Sequence, residues 1–152
     1  MRHGHALTVR EAGVAQDSER PLSPLGEREA RAAAEHLSAA GFLPELIISS
    51  PFLRAARTAE LAAALFPAAA RETAAALSEG PVSAILDLIG SLDRAERVLV
   101  VGHQPLLGAV AGHLAGDGPF DLPPAGFVRL GRAGTAQAVL LELYSAPREA
   151  PL

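Results

Sequence analysis

Histidine and arginine side chains occur in three short stretches of the chain that also contain turn-forming residues. The stretches are Arg2-His3-Gly4, Ser50-Pro51 through Arg54, and Gly102-His103. A guanidinium group makes paired, charge-assisted hydrogen bonds with phosphate oxygens. A neutral imidazole can attack phosphorus and hold the phosphoryl group until water cleaves the new bond. These residue types therefore predict an anion site at which a phosphoryl group can be bound and transferred.

Strongly apolar segments precede two of these stretches and must help to position them. Leu46–Ile48 comes before the second stretch and Val98–Val101 before the third, and both predict short strands buried on both faces. We expect Val98–Val101 to be a central strand of the sheet. Further along, residues 127–130 and 136–144 alternate apolar and polar side chains, which predicts two paired strands.

Four helices are predicted from their start signals and apolar spacing. The first begins at Ser23-Pro24, with serine as the N-cap and proline at the first helical position, and ends at Gly41. Ser50-Pro51 has the same serine–proline pair and predicts the start of the second helix. The other three helices are expected from Pro51 to about Phe66, from Pro81 to Leu92, and from the turn at 102–105 to about Leu114. Residues 10–22 and 67–80 are expected to be irregular.

The alternation of strands and helices predicts an α/β domain, organised as a three-layer α/β/α sandwich with a mostly parallel central sheet. Ligands of such sheets bind beyond the carboxyl ends of the strands. The three chemically active stretches are predicted at that edge, where helix N-termini add unpaired N–H groups and a positive dipole end. We expect one domain over residues 1–145 and a C-terminal tail over residues 146–152.

The composition excludes several other kinds of protein. All 13 basic residues are arginine, against 17 acidic residues, and the net charge of -4 argues against nucleic acid as a partner. The chain has no cysteine, which excludes disulfides, a thiolate nucleophile and cysteine-bound zinc. The longest apolar stretch, residues 98–116, is interrupted by His103, Pro105 and His113. We therefore predict no membrane segment, no signal peptide and a cytoplasmic location.

The three stretches, extended by their neighbours, resemble the signatures of the histidine phosphatase superfamily. The matching segments are Arg2-His3-Gly4, Ser50–Ala55 with Thr58, and Val101–Pro105, in the family's order. Residues 1–6, residues 20–23 and Gly26 further resemble the small branch of SixA-type phosphohistidine phosphatases. The resemblance covers the chain from residue 1 to about residue 143 and implies a phosphoglycerate mutase-like fold.

The resemblance also implies a role for each residue of the site. His3 is the expected nucleophile, and Arg2 and Arg54 are the expected phosphate clamp. His103 is expected to complete the clamp and to stabilise the transferring group. The implied enzyme is a metal-independent hydrolase that needs no cofactor and forms a covalent phosphohistidine. Its implied substrate is phosphohistidine on a protein; the alternatives are a small phosphoester, or a phosphoryl-binding module without turnover.

The sequence departs from the family pattern in three places. The family has a short apolar strand before the first signature, whereas Met1 stands directly against Arg2 here; we favour a misassigned start over a lost strand. The donor of the leaving-group proton is open between Glu79, Asp17 and none. His5 stands where the branch often has an acid, and an H-x-H pair can bind metal, but we expect a loop histidine at the pocket mouth.

Three other basic side chains are expected to have structural or surface positions. His36 and His113 stand late in predicted helices, where a protonated imidazole suits the helix dipole. Arg57 follows Arg54 by one helical turn and is expected beside the site or on the surface.

Overall fold

The computed structural model describes residues 1–92, 95–133 and 136–147 of the chain. In chain order the elements are α1 (Val9–Ala12), a 3-10 helix (Asp17–Glu19), α2 (Pro24–Ala39), β1 (Leu46–Ser49), α3 (Leu53–Ala63), β2 (Ala70–Thr73), α4 (Ala76–Glu79), α5 (Val82–Gly90), β3 (Val98–Val101), α6 (Leu106–Ala115), β4 (Phe127–Gly131) and β5 (Val139–Tyr144). Most of the expected tail, residues 148–152, lies outside the described residues.

Three parallel strands form the main sheet, in the order β2-β1-β3. At its centre Ile47 of β1 stands between Arg71 of β2 and Leu99 of β3. The other edge of β3 is also hydrogen-bonded, because Met1 N donates to Val100 O at 2.8 Å and Arg2 forms a parallel bridge with Gly102. β3 therefore lies between β1 and the N-terminal residues, as expected of a central strand. A continuous apolar run is typical of a strand whose two faces are both covered by helices.

Helices cover both faces of this sheet and confirm the three-layer α/β/α prediction. On one face Ile47, Leu99 and Val101 pack in a cluster with α2 and α3. On the other face Ile48 packs in a second cluster, with Ile85 of α5 and with α6. Alternate residues of a strand point to opposite faces, so each apolar strand supplies both clusters.

β4 and β5 form a separate antiparallel pair, which confirms the predicted strand pair. A cavity of about 770 Å³, lined by apolar residues of β3 and β4 and of the helices on both sides, lies between this pair and the main sheet. Residues 2 and 3 bridge the two sheets at one end. Arg2 N donates to Gly126 O at 2.9 Å, and His3 N donates to Gly102 O at 3.0 Å. The first signature is therefore held between both sheets.

The start of α2 follows the sequence signal. Ser23 Oγ accepts the N–H of Gly26 at 3.0 Å, and Pro24 is the first helical residue. The start of α3 differs from the prediction, because Phe52 is the N-cap residue and the helix begins at Leu53 rather than at Pro51. Ser50 does not cap the helix, since its hydroxyl lies against other side chains of the site.

The two stretches expected to be irregular both contain short regular elements. In α1, Thr8 and Glu11 form a reciprocal capping box, a signal present in the sequence at the required spacing. The strand β2 gave no such signal because all four of its residues are exposed. Its extended form follows from pairing with β1, which is a tertiary contact. Among the described residues, no helix is long and apolar enough to cross a membrane.

Candidate active site

The first signature passes the start of α2 at very close range. A Cβ added to Gly4 would lie 2.4 Å from the carbonyl oxygen of Gly26, and a Cβ added to Gly26 would lie 1.9 Å from that of His5. Side chains at either glycine would force the backbones apart. Gly4 N also donates to Thr58 Oγ1 of α3 at 3.1 Å. The segment is therefore held against both helices that cover this face of the sheet.

The His3 ring is oriented by its own backbone. Its Nδ1 lies 2.7 Å from the carbonyl oxygen of Gly4, and since a carbonyl only accepts, Nδ1 carries the proton. Nε2 is left with a lone pair and accepts the Nε–H of Arg54 at 3.3 Å. Burial, reinforced by the charges of Arg54 and Arg2, lowers the pKa of His3 to about 3. The ring is therefore neutral at physiological pH and its Nε2 can act as a nucleophile.

Arg54 lies in the first turn of α3 with only 7% of its surface exposed. Its Nη1 donates to the carbonyl oxygen of Asp17 at 2.8 Å, and its Nη2 donates to Asp17 Oδ2 at 3.0 Å. The guanidinium carbon also lies 5.3 Å from the centre of the Phe52 ring. These contacts hold the guanidinium with its Nε–H directed at His3.

Arg2 directly precedes His3, and its charge acts on both His3 and His103. Its Nη1 donates to the carbonyl oxygen of Leu122 at 3.0 Å. Its Nε is buried and has no hydrogen-bond partner in the described part of the chain. A buried N–H donor without a partner costs free energy, so this atom suits an anionic ligand that would accept its proton.

His103 lies two residues after the end of β3 and beside His3, with 5.2 Å between the ring centres. Its Nε2 is 2.8 Å from Ser50 Oγ, and Phe52 packs edge-on against the ring. Burial, followed by the charge of Arg54, lowers the pKa of His103 to about 4. Its Nδ1 is buried and, like Arg2 Nε, has no partner among the described atoms.

The fold thus brings together all four predicted site residues, Arg2, His3, Arg54 and His103. They come from the ends of two neighbouring backbone segments and from the first turn of α3. Two neutral imidazoles and two guanidinium groups lie together, and among the described residues one nitrogen of Arg2 and one of His103 are buried without a hydrogen-bond partner. Such an arrangement can bind a tetrahedral oxyanion and offer it a nucleophile. The catalytic role of each residue remains a prediction.

The two candidate proton donors have different positions. Asp17 contacts Arg54 and also pairs with Arg20, and these two arginines hold the pKa of its carboxyl below the usual value. Glu79 is exposed at the end of α4. The residue before it, Ser78, is the one that reaches the site, since its hydroxyl lies 2.6 Å from Ser50 Oγ. Sequence reasoning missed both serines, because Ser50 resembles a helix cap and Ser78 stands in a stretch without periodicity.

The remaining histidines and Arg57 lie outside the cluster. His5 is exposed, and its Nδ1 contacts Ser23 Oγ at 2.7 Å. Among the described residues, no three histidine, aspartate or glutamate side chains are grouped so that they could hold a metal ion. His36 lies near the end of α2 and contacts Glu142. Arg57 forms ion pairs with Glu27 and Glu60, and His113 is exposed near the end of α6.

Comparison with known proteins supplies the family. The model of the histidine phosphatase superfamily (branch 1) matches residues 1–82, which include the first two signatures. The chain belongs to the histidine phosphatase superfamily. It is therefore a phosphatase, a hydrolase that acts on phosphorylated substrates. An uncharacterised protein of Picosynechococcus sp. is 32% identical over 139 residues, which are 88% of this chain and 84% of that protein.

Other relatives narrow the membership to the SixA-type branch. The phosphohistidine phosphatase SixA of Escherichia coli is 34% identical over 129 residues, 82% of this chain and 75% of that protein. A structure of the protein histidine phosphatase SixA complexed with tungstate superposes with a TM-score of 0.84 at 27% identity, covering 95% and 94% of the two chains. The same fold occurs in a putative alpha-ribazole-5'-P phosphatase from Escherichia coli, with a TM-score of 0.76 at 17% identity over 95% and 94% of the two chains.

Proposed function

We propose that this phosphatase hydrolyses phosphohistidine on a protein substrate through a covalent phosphohistidine formed at His3. One observation carries the proposal. The hydrogen bond from Nδ1 to the Gly4 carbonyl leaves the lone pair of the His3 ring on Nε2, beside the Nε–H of Arg54. An electron pair of a buried neutral imidazole next to a cation that binds phosphate is what in-line attack on phosphorus requires.

The first step transfers the phosphoryl group to the enzyme. His3 Nε2 attacks phosphorus and forms the new N–P bond, while the N–P bond of the substrate breaks and its electron pair stays on the leaving imidazole nitrogen. That imidazole takes its proton from solvent or from a donor at the site. Arg2 and Arg54 stabilise the charge on the phosphoryl oxygens, and the Gly4 carbonyl stabilises the positive charge that develops on the His3 ring.

The second step regenerates the enzyme. Water attacks the phosphorus of the phosphorylated His3, the N–P bond breaks, and inorganic phosphate leaves with the oxygen of that water, which releases one proton to solvent and so returns the proton used in the first step. His3 regains its lone pair on Nε2. The lowered pKa of His3, about 3, supports this cycle because it keeps the ring unprotonated at neutral pH. Neither step needs a metal ion, since the arginines supply the positive charge.

The substrate class is supported by the relatives and by the exposure of the site. The relative from Escherichia coli is named a phosphohistidine phosphatase. Asp17 contacts Arg54 and has 58% of its side chain exposed, so this edge of the site lies at the protein surface. A histidine side chain that projects from a folded protein could reach a site at the surface.

The test compares turnover of a phosphorylated histidine phosphotransfer domain with turnover of a panel of small phosphoesters. We expect phosphate release from the phosphorylated domain, faster than from any phosphoester, and no effect of a chelator. A brief reaction with ³²P-labelled domain should also label the enzyme through an acid-labile bond. His3→Ala should abolish both release and labelling, whereas His113→Ala, at an exposed histidine, should retain them.

Three results would change the proposal. Undiminished release by His3→Ala would exclude the covalent mechanism. Faster turnover of a small phosphoester would replace the protein substrate by that phosphoester. Binding of the phosphorylated domain without any release of phosphate would make the chain a phosphoryl-binding module.

A further inference from the structure

Two serine hydroxyl groups form a hydrogen-bonded chain that ends on His103. Ser78 Oγ lies 2.6 Å from Ser50 Oγ, and Ser50 Oγ lies 2.8 Å from His103 Nε2. Ser50 is completely buried, and the backbone N–H of Phe52 also donates to its oxygen at 3.1 Å. The second and third signature segments and α4 therefore meet at one hydroxyl group.

The number of protons allows only two arrangements of this chain while His103 is neutral. A hydroxyl group has one proton and two lone pairs, and the N–H of Phe52 occupies one lone pair of Ser50. Ser50 then either donates to His103 Nε2 and accepts from Ser78, or accepts from His103 Nε2 and donates to Ser78.

The partners of Ser78 favour the first arrangement. In the described part of the chain, the Ser78 hydroxyl has Ser50 Oγ as its hydrogen-bond partner and no other. When Ser78 donates to Ser50 and Ser50 donates to His103, both serine protons are used in hydrogen bonds. In the second arrangement the proton of the half-buried Ser78 hydroxyl has no acceptor among the described residues.

We propose that Ser78 and Ser50 are positioning residues that hold His103 in the tautomer with its proton on Nδ1. Nδ1 is buried and has no partner among the described atoms, so in this tautomer it is a donor without an acceptor. The other tautomer would turn a lone pair toward any oxyanion at that nitrogen and would repel it. The use of the Nδ1–H as a phosphoryl donor rests on the proposed function, whereas the tautomer itself does not.

The tautomer can be measured on the free enzyme without any substrate. Long-range ¹H–¹⁵N correlation spectra of protein labelled with ¹⁵N-histidine distinguish protonated from unprotonated ring nitrogens, and His103→Gln assigns the signals. The ring is neutral at pH 7.5 because burial lowers the pKa of His103 to about 4. We expect a protonated Nδ1 and an unprotonated Nε2. A proton on Nε2 in the wild-type protein would overturn the proposal.

Three serine variants test the hydrogen-bonded chain. Ser78→Ala removes the terminal donor and should move His103 toward a mixture of tautomers, whereas Ser78→Thr keeps a hydroxyl and should retain the Nδ1–H form. Ser50→Ala should move the equilibrium further. Ser91→Ala removes an exposed hydroxyl at the end of α5 and should leave the spectrum unchanged. An unchanged His103 tautomer in folded Ser78→Ala would contradict the proposal, even if Ser50→Ala does not fold.

Kinetics provide the second measurement. With the phosphorylated domain as substrate, Ser78→Ala should lower kcat about tenfold with little change in KM, since a donor to the developing charge is lost. Ser78→Thr should restore the wild-type kcat. A wild-type protein that has the Nδ1–H tautomer but releases no phosphate would disprove the proposed function and leave the tautomer proposal standing.

Discussion

At the scale of single residues, the site depends on keeping two imidazole rings neutral. His3 and His103 are 8% and 7% exposed, and both lie beside guanidinium groups. Burial and nearby positive charge both disfavour the protonated ring, and together they lower the pKa of His3 to about 3 and that of His103 to about 4. As a result, the His3 ring is available as a nucleophile. In mild acid, however, the two rings remain unprotonated in the folded protein while the same histidines accept protons in the unfolded chain.

The free energy of unfolding should therefore decrease in mild acid. Below about pH 6.5 the unfolded chain protonates both histidines, whereas the folded protein does so only near pH 3 and pH 4. The two neutral rings contribute fully to the free energy of unfolding above pH 6.5. Their contribution is lost as the pH decreases, by at most about 1.4 kcal/mol per pH unit for each ring. Urea unfolding of wild-type protein and of His103→Gln between pH 7.5 and pH 5 measures it.

The variant should lose less stability over this interval than the wild-type protein. His113→Gln, which changes an exposed histidine, serves as the control and should follow the wild-type slope. Equal slopes for wild type and His103→Gln would show that this ring does not stay neutral in the folded state.

At the scale of elements, the decisive contact is the crossing of the first signature over the start of α2. Gly4 and Gly26 let the two backbones approach until any side chain between them would collide. Ser23 caps α2 at the same point, and its hydroxyl group is also hydrogen-bonded to Nδ1 of His5. The position of His3 is therefore set by a helix start that contributes no catalytic side chain.

Gly26→Ala tests this crossing. The new Cβ would lie 1.9 Å from the carbonyl oxygen of His5, so the signature must move away from α2. We expect the free energy of unfolding to decrease by about 1–3 kcal/mol. We also expect phosphatase activity to decrease by more than the fraction of folded protein does. Circular dichroism during urea unfolding and a phosphate-release assay measure the two effects.

Gly90→Ala is the matched control, since a Cβ at this last residue of α5 meets no atom within 4 Å. It should keep full activity and gain up to about 1 kcal/mol of stability, because alanine loses less backbone entropy than glycine in a helix. Full activity in Gly26→Ala would show that the crossing does not position His3.

At the scale of the whole molecule, the anion site joins parts of the chain that are far apart in sequence. Arg2 bridges the two sheets and Arg54 begins α3, and an oxyanion bound between them would link these elements. The net charge of -4 opposes anion binding at long range, so the affinity must come from local contacts.

Tungstate or phosphate should therefore stabilise the folded protein. At about 100 times the dissociation constant, a ligand adds about 2.7 kcal/mol, which corresponds to a Tm increase of roughly 5–10 °C for a domain of this size. Arg2→Gln should reduce the increase strongly, whereas Arg71→Gln, at an exposed position of β2, should retain it. The same increase in Arg2→Gln as in the wild-type protein would place the anion elsewhere. Differential scanning fluorimetry is sufficient for this measurement.

Much of this protein could be predicted from the sequence, because its signals are local. The cap at Ser23-Pro24, the apolar runs of β1 and β3 and the glycine-containing turns each depend on neighbouring residues, and they indicated the layers and the approximate elements. The three signatures carry the types of side chain that phosphate binding requires, so the four site residues were named before their distances were known. The cytoplasmic location and the absence of a nucleic-acid partner remain predictions from the sequence.

The tertiary structure decided what depends on contacts between distant segments. β2 is a strand because it pairs with β1, and pairing along an edge leaves no periodic signal in the sequence. Asp17 faces Arg54, and Ser78 rather than Glu79 reaches the site, since loop side chains are directed by the surfaces against which they pack. The pKa values of His3 and His103 are likewise properties of burial, which exists only once both sheets and α3 have assembled around the rings.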